Sequence, residues 1–519
     1  MRPDPVRLEV FHQLLTAICE ESGAVLQRSA VSPNIRERRD FSCALFDGRG
    51  RLIAQAAHIP VHLGSAAESV AAVRRAFPLE PDDVVILNDP FAGGTHLPDL
   101  TMVRPVFVGA RRRPAFFVVN RAHHADIGGA VPGSMAAATE LLAEGLVLPP
   151  VKVRSAGVPV AGVLRLLLAN VRGAAEREVD LAAQETSLRA AERRLLELVD
   201  AQGLRTVETY AAHLMAASER IARSVIAGLP PGVHTASDVL EDDGCGGGPY
   251  PIRVALRAHG GRLRCDFRGS ARQARGGVNA NRSVVLAACV YVLRCLCPDR
   301  LPTNDGLFRV LEVLTEPGSI LDPRPGAAVA GGNVETSQRL VDVLLRALLR
   351  AVPERVPACS AGTMSNLSFG GVDPRTGRSF AFYETLPGGA GAGATFDGTS
   401  GVQTHMTNTR NTPLEEFERR FPVRVRAWTL RRGSGGGGRN RGGDGVTKEL
   451  EVLAPLTVSL FAERHRGGPP GARGGRPGRA GRAAVLGRDP AVLPAKCTRT
   501  LEAGQVVRVE TPGGGGYGA

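Results

Sequence analysis

NDPFAGGTHLPDLTMVRPVFVGARRRPAFFVVNRAHHADIGG, residues 88–129, organises the reading of the chain. Inside it, residues 103–108 and 114–119 are apolar runs with the basic triplet Arg111, Arg112 and Arg113 between them. Runs of this length bounded by glycine and charge predict two buried strands joined by a turn. Consecutive strands usually lie side by side, so the loops at their outer ends should meet. Each of those loops carries a His-x-x-Asp: His96 with Asp99, and His123 with Asp126, His124 being adjacent. Imidazole with carboxylate is a donor set for zinc, manganese or iron. Gly93, Gly94, Gly128 and Gly129 beside them allow the backbone to approach an ion or substrate closely. The same pairs also occur as ordinary hydrogen-bonded loop residues.

Upstream, residues 5–30 have helical apolar spacing, and FSCALF and RLIAQ read as a hairpin turning at Asp47-Gly48. Asn34, Arg36, Glu37, Arg38 and Asp40 form a polar patch before that hairpin, a solvated loop or an anion-orienting one. His58 and His62 flank Pro60, which argues for extended chain with both imidazoles on one side. Downstream, residues 177–229 read as two packing helices parted by Gly203, with no chemistry of their own. RVALRA and RLRCDF form a second hairpin at Gly260-Gly261, and Asn279 or Asn281 caps a buried helix. Residues 307–313 read as a strand. GGNVETSQ is a glycine-rich helix start, a geometry suited to an anion or to ordinary capping. Residues 464–488, rich in Gly, Pro and Arg, read as a flexible segment.

The fold class expected is α+β of mixed α/β character in several subdomains. Residues 1–176 make an α/β part with the His/Asp loops, 177–230 a helical segment, and 231–519 an α+β part with glycine-rich loops. A length of 519 residues and 43% hydrophobic content supply ample core. There is no apolar run of membrane-spanning length and no uninterrupted signal-peptide core, so the expected location is cytoplasmic. Nine scattered cysteines without a CxxC fit a reducing compartment. The net charge of +13 invites a nucleic-acid reading, but the charge is spread, almost all arginine, and aromatics are only 4%. No nucleic-acid or membrane partner is therefore expected. No lysine follows a glycine, so there is no Walker A loop, and neither HExxH nor G-x-S-x-G occurs.

Several stretches together resemble the hydantoinase B/oxoprolinase family: NIRERRDFSCALFD, HIPVHLGS, AGGTHLPDLT, HHADIGGAVPGSM, ILDPRPGAAVAGGNVETSQRLVDVLL, ETLPGGAGAG, HMTNTRNTP, RRGSGGGGRNRGGDGVTKEL and TPGGGGYG. They span residues 4–518 in the family's order, nearest to its 5-oxoprolinase branch. The resemblance implies ATP-dependent opening of a cyclic amide, foremost 5-oxo-L-proline to L-glutamate. Hydantoins, an acetone or acetophenone carboxylase-like role, and a non-catalytic scaffold role are its alternatives. It implies a hetero-oligomer in which ATP is bound, and the amide oxygen phosphorylated, by a separate hydantoinase A-type subunit. This chain would then direct attack on the activated carbonyl. Carboxylase relatives hold manganese with His and Asp, a role that falls here on His96, Asp99 and His123 as ligands of a divalent metal (Mn, Zn or Fe). His124 and Asp126 would act as catalytic bases. Arg36 and Arg38, or Asn333, Thr336 and Ser337 at the helix start, would hold the substrate's carboxylate or phosphate. Two departures stand out: residues 464–488 are richer in glycine and arginine than the family pattern, and GYGA stands where an acidic tail is expected.

Overall fold

The computed structural model describes residues 4–62, 64–135 and 137–519. Asp4 caps the first helix, α1 (Pro5–Ser29), by accepting from Val6 N–H at 3.0 Å. The strands expected around residues 103–119 are β4 (Asp99–Val106) and β5 (Phe116–His123), antiparallel and in a register that sets Asp99 opposite His123. They occupy the middle of a seven-stranded antiparallel sheet of order β2-β1-β5-β4-β3-β6-β7. Its other strands are β1 (Phe41–Asp47), β2 (Leu52–Gln55), β3 (Val84–Leu87), β6 (Val151–Ser155) and β7 (Val158–Pro159).

Both faces of the central strands are covered, which explains why apolar residues fall on both sides of them where a one-sided sheet would alternate; Arg104, which interrupts the first run, is buried and paired with Asp82 and Glu192. Phe116 and Val118 face α1 and the helix α2 (Ala174–Gln202), whose Leu188, Leu195 and Val199 join the same core. Phe117 and Val119 face the opposite way, onto Val70 and Val73. The helix α3 (Leu204–Ala227) follows α2 after Gly203 as expected, and Val207, Ala211 and Leu214 extend the first core.

A second sheet, β11-β10-β9-β8, comprises β8 (Val233–Leu240), β9 (Tyr250–His259), β10 (Arg262–Asp266) and β11 (Leu311–Leu314). The strand expected at 307–313 is displaced, because the Asn304 side chain accepts from Gly306 N–H and caps a short helix, Asp305–Phe308, first. This sheet packs on α4 (Arg282–Leu296), capped by Asn281, and on α5 (Ser337–Leu349). Two further sheets face each other around an aromatic core of Phe369, Phe382, Phe417 and Phe421. One has the order β13-β12-β16-β19, from β12 (Asn366–Asp373), β13 (Arg378–Thr385), β16 (Leu456–Phe461) and β19 (Lys496–Leu501). The other runs β14-β15-β20-β17-β18, from β14 (Val423–Arg431), β15 (Gly445–Val452), β17 (Arg482–Leu486), β18 (Ala491–Leu493) and β20 (Val506–Glu510).

The glycine-rich loops pack on one another. Ala392 N–H donates to Gly515 O, Gly514 N–H to Gly443 O, and Ala472 N–H to Gly516 O. A Cβ at Gly514 would lie 1.9 Å from Ala390 O, so any side chain there would force the strands of this knot apart. Residues 464–488, expected to be flexible, are built into it: Gly478 N–H donates to Pro469 O, Arg464 is buried and β17 is a sheet strand. Composition suggested disorder because it registers glycine content, whereas close backbone approach is what the glycines serve. Among the described residues no helix is long and apolar enough to cross a membrane.

Candidate active site

The β4–β5 register brings the two His-x-x-Asp loops together, but asymmetrically. Asp99 stands at the centre. Its Oδ1 lies 3.1 Å from His96 Nε2 and 3.1 Å from His123 Nδ1. Its Oδ2 accepts from Thr95 Oγ1 at 2.9 Å and Asn333 Nδ2 at 3.4 Å, and meets His62 Nε2 at 3.2 Å. His96, Asp99 and His123 are buried, and one ligand atom from each falls within 4.8 Å of the others. Burial would push the Asp99 carboxyl up, but the imidazoles of His96 and His62 and the hydrogen bond with His123 outweigh it. They hold Asp99 well below the usual carboxylate range. Burial also depresses His123, against the pull of Asp99. Beneath lies Arg121, fully buried, bonded to Thr101 Oγ1 and the Ser65 and Ser69 hydroxyls. Burial lowers its guanidinium to about 10 while Asp99 opposes the shift, so the pair is charge-balanced.

Loop 88–98 is held from both ends. Asn88 Nδ2 donates to Leu97 O and Leu146 O, and Asn281 Nδ2 donates to the carbonyls of Pro90, Gly94 and Thr95. Gly93 has φ +103° and no room for a Cβ against the Glu68 carbonyl, 2.8 Å away, which makes glycine obligatory at that turn. The cluster faces a small cavity of ≈ 20 Å³, whose wall also includes Asp40, Val61, Met364, Tyr383 and Met406. Tyr383 stacks on His123 at 4.6 Å between ring centroids, and its hydroxyl donates to Asn366 Oδ1.

The other expected site residues divide. Asn333 reaches Asp99. Thr336 and Ser337 do not reach the cavity: their hydroxyls donate to Val278 O and Asn333 O. Residues Gly332–Thr336 form a buried π-helical turn, so the expected open anion-binding helix start is absent. Arg36 is exposed and pairs with Glu37. Arg38 is fully buried but committed to Tyr383 O, Thr385 Oγ1 and Thr409 Oγ1, with its guanidinium over the Tyr383 ring. Its NH1 and NH2 brace the wall behind His123, and its buried Nε has no hydrogen-bond partner.

His124 and Asp126, expected as bases, are placed elsewhere. Successive residues of an extended chain point to opposite sides, so His124 leaves the cluster as His123 enters it. Its Nε2 meets Gln184 Oε1 at 3.0 Å, and burial lowers it to about 4. Helix α2 thus contributes a polar brace as well as packing. Asp126 accepts from Gly128 N–H, Gly133 N–H, Arg172 N–H and the Arg172 guanidinium, leaving no oxygen for proton transfer. Asp126→Asn should lower stability by about 2–4 kcal/mol, read from the urea midpoint, because one oxygen becomes a donor facing donors. Turnover per folded molecule should stay within about threefold, whereas a loss of ~100-fold or more, the size base removal gives, would restore Asp126 to the chemistry.

Three site residues escaped the sequence reading. His62 turns inward because Pro60–His62 is a 3-10 turn, not extended chain. His58 meanwhile accepts from Cys43 N–H and packs edge-on to Phe41. The H-x-x-x-H spacing signalled the pair without showing which one is used. Tyr383 carried no signal. Glu144 is buried, and its Oε1 accepts from Val329 and Ala330 N–H at 2.9 Å, tying down the approach to Asn333. Burial raises it to about 7.

Comparison with known proteins agrees with this architecture. The family profile described as hydantoinase B/oxoprolinase matches residues 4–519. The chain belongs to the hydantoinase B/oxoprolinase family. It is 38% identical to 5-oxoprolinase 1 of Arabidopsis thaliana over 99% of its own length and 42% of that protein, so it spans about two-fifths of the plant relative. It is 30% identical to the putative B-type component of a D-/L-hydantoinase from a Pseudomonas species, over 99% of this chain and 90% of that one. The crystal structure of an ATP-dependent caprolactamase from Pseudomonas jessenii superposes with a TM-score of 0.92 at 29% identity, covering 100% of this chain and 92% of that one.

Proposed function

We propose that this family member is the hydrolytic component of an ATP-dependent cyclic-amide hydrolase, with 5-oxo-L-proline as its substrate and with ATP held by a hydantoinase A-type partner. The observation that carries this reading is the buried His96–Asp99–His123 cluster on a cavity. Support comes from relatives named as 5-oxoprolinase and as a B-type hydantoinase component, and from the likeness to an ATP-dependent caprolactamase. The missing Walker A loop fits an ATP site on another chain.

The residues fit a divalent metal. Both nitrogens of His96 and Nε2 of His123 are buried without a well-aligned hydrogen-bond partner, although His96 Nε2 lies 3.1 Å from Asp99 Oδ1; each neutral ring has one nitrogen lone pair, and a divalent ion would take one from each. His96, Asp99 and His123 would be the ligands, with Thr95, His62 and Asn333 orienting the carboxylate. Bound there, a divalent ion supplies Lewis-acid polarisation of a carbonyl or phosphoryl oxygen. Asp40 replaces Asp126 and His124 as the base: the residue lines the cavity, and its Oδ2 is 3.5 Å from Arg38 NH1. It stands to accept a proton from an attacking water and return it to the leaving amide nitrogen. A cavity of ≈ 20 Å³ holds about one water or ion, so admission of a lactam requires part of its wall to move.

Elemental analysis of the purified chain tests the centre. About one manganese, zinc or iron per folded chain is expected, falling below ~0.1 in His96→Ala and His123→Ala. Equal content in all three proteins rules the site out. Reconstituted with an A-type partner, the chain should release glutamate from 5-oxo-L-proline only when ATP is present. Carboxylation of acetone when acetone and bicarbonate are supplied in place of 5-oxo-L-proline, with no glutamate released from the latter, or no requirement for this chain, would refute the amide-hydrolase reading.

A further inference from the structure

A cleft of ≈ 1040 Å³ opens among β8, β9, the C-terminal end of α5 and loop 470–473, sharing no lining residue with the His/Asp cavity. Its wall carries Arg253, Arg268, Arg346, Arg350 and Arg473 against a single carboxylate, Asp266. Two of the five are satisfied: Arg268 grips Asp266 at 2.6 Å, and Arg346 reaches Asp238 at 3.3 Å. Among the described residues, Arg253, Arg350 and Arg473 have no carboxylate within 4.0 Å.

Ordinary helix electrostatics account for part of this, because Arg346 and Arg350 lie at the end of α5, where cations offset the macrodipole. That account does not extend to Arg253 on β9 or to Arg473. Arg473 has φ +51°, in the left-handed region where a side chain costs on the order of 1 kcal/mol. Its neighbours at 471, 474 and 475 are all glycine, yet the position that would favour glycine holds arginine. The turn is anchored, with Ala472 N–H donating to Gly516 O and Gly475 N–H to Ala472 O, so the guanidinium is presented at the cleft from a fixed base.

Uncompensated guanidinium groups from a strand, a helix end and an anchored turn repel one another until an anion joins them. Their planar forks match phosphate oxygens. The volume suits a small organic ligand, and Val254 and Leu349 supply apolar wall beside the charges. We propose that this cleft binds a nucleotide-sized organic di- or triphosphate, at a site separate from the His/Asp cavity. The site stands independently of the amide-hydrolase reading.

Isothermal titration of the full chain with inorganic tripolyphosphate and with adenosine triphosphate, at ~150 mM salt without divalent ions, tests it. Saturable one-to-one binding is expected, weakened at least tenfold when Arg253→Gln, Arg350→Gln and Arg473→Gln are combined. Exposed Arg28, Arg75 and Arg165 lie away from the cleft, and their glutamine replacements supply the charge-matched control, which should leave affinity unchanged. Equal weakening in the control would show general attraction to a basic protein and overturn the site. Absence of binding, or tighter binding of a hexaglutamate peptide than of either phosphate, would also overturn it. Circular dichroism melts establish that both triple variants are folded at the titration temperature.

Discussion

Asp99→Asn should weaken divalent-metal binding by more than ~100-fold and abolish ATP-dependent amide hydrolysis, the largest functional effect expected of any single substitution in this chain. Asp99 is the residue on which the cluster converges: Thr95, His62, His96, His123 and Asn333 all address its two oxygens. An amide in its place offers one acceptor where two are used and turns a donor toward donors. It also strands Arg121, whose buried charge Asp99 balances. A stability loss of about 3 kcal/mol should therefore accompany the loss of metal. Thr95→Val separates the two effects. It removes a 2.9 Å hydrogen bond to Asp99 without touching charge, and should lower metal affinity about 10- to 100-fold in a protein of near-normal stability. Competition against a metal-responsive dye reads both variants. Wild-type affinity in folded Asp99→Asn would remove the metal role from this centre.

The largest stability effect should come from Glu463, far from that chemistry in sequence. Its carboxylate accepts from Arg339 NH2 at 3.2 Å and Lys496 Nζ at 2.6 Å, and both oxygens accept from Glu241 N–H. Glu463, Arg339 and Lys496 are all buried, and they join the end of β16 to α5, β19 and the chain after β8. Ion pairs of this kind add little over apolar packing, but removing one partner strands the others. Glu463→Gln should therefore cost on the order of 3–5 kcal/mol. Among the described residues, Lys496 would retain one carboxylate within 4.0 Å, Asp242 at 3.6 Å, while Arg339 keeps Asp238 at 3.2 Å. Adding Lys496→Met should accordingly recover part of the loss, as the shift of the urea midpoint would show. A double variant no more stable than the single one would place the cost in the lost backbone contacts of Glu241 instead.

Much of the local structure was legible in the chain. The apolar runs at 103–108 and 114–119, the Gly260-Gly261 hairpin, the Asn281 cap and the helices parted by Gly203 all depend on neighbours within a few residues, and all are present. Misreadings occurred where distant chain intervenes. Pro60 excluded an α-helix, but the 3-10 turn that sends His62 inward is tied by Val61 N–H to Met406 O, more than 300 residues away. The loop of glycine and arginine at 464–488 read as disordered because its partners, near 434–443 and 511–518, lie in other segments.

For the candidate centre, the local pattern carried residue types and one pairing. Two His-x-x-Asp loops on adjacent strands were bound to approach, since antiparallel register places Asp99 against His123. Which members of each pair would face inward was a tertiary outcome. Strand alternation separates His123 from His124, and the Arg172 and glycine N–H donors that consume Asp126 come from its own loop and from the chain before α2. Asn333, Tyr383, Asp40 and His62 arrive from four other segments. Hydrophobic period and turn chemistry are short-range properties, so they were written in the order of residues. Which donors reach a buried carboxylate is set by packing, and for Asp99, Asp126 and Asp40 only the packed chain decided it.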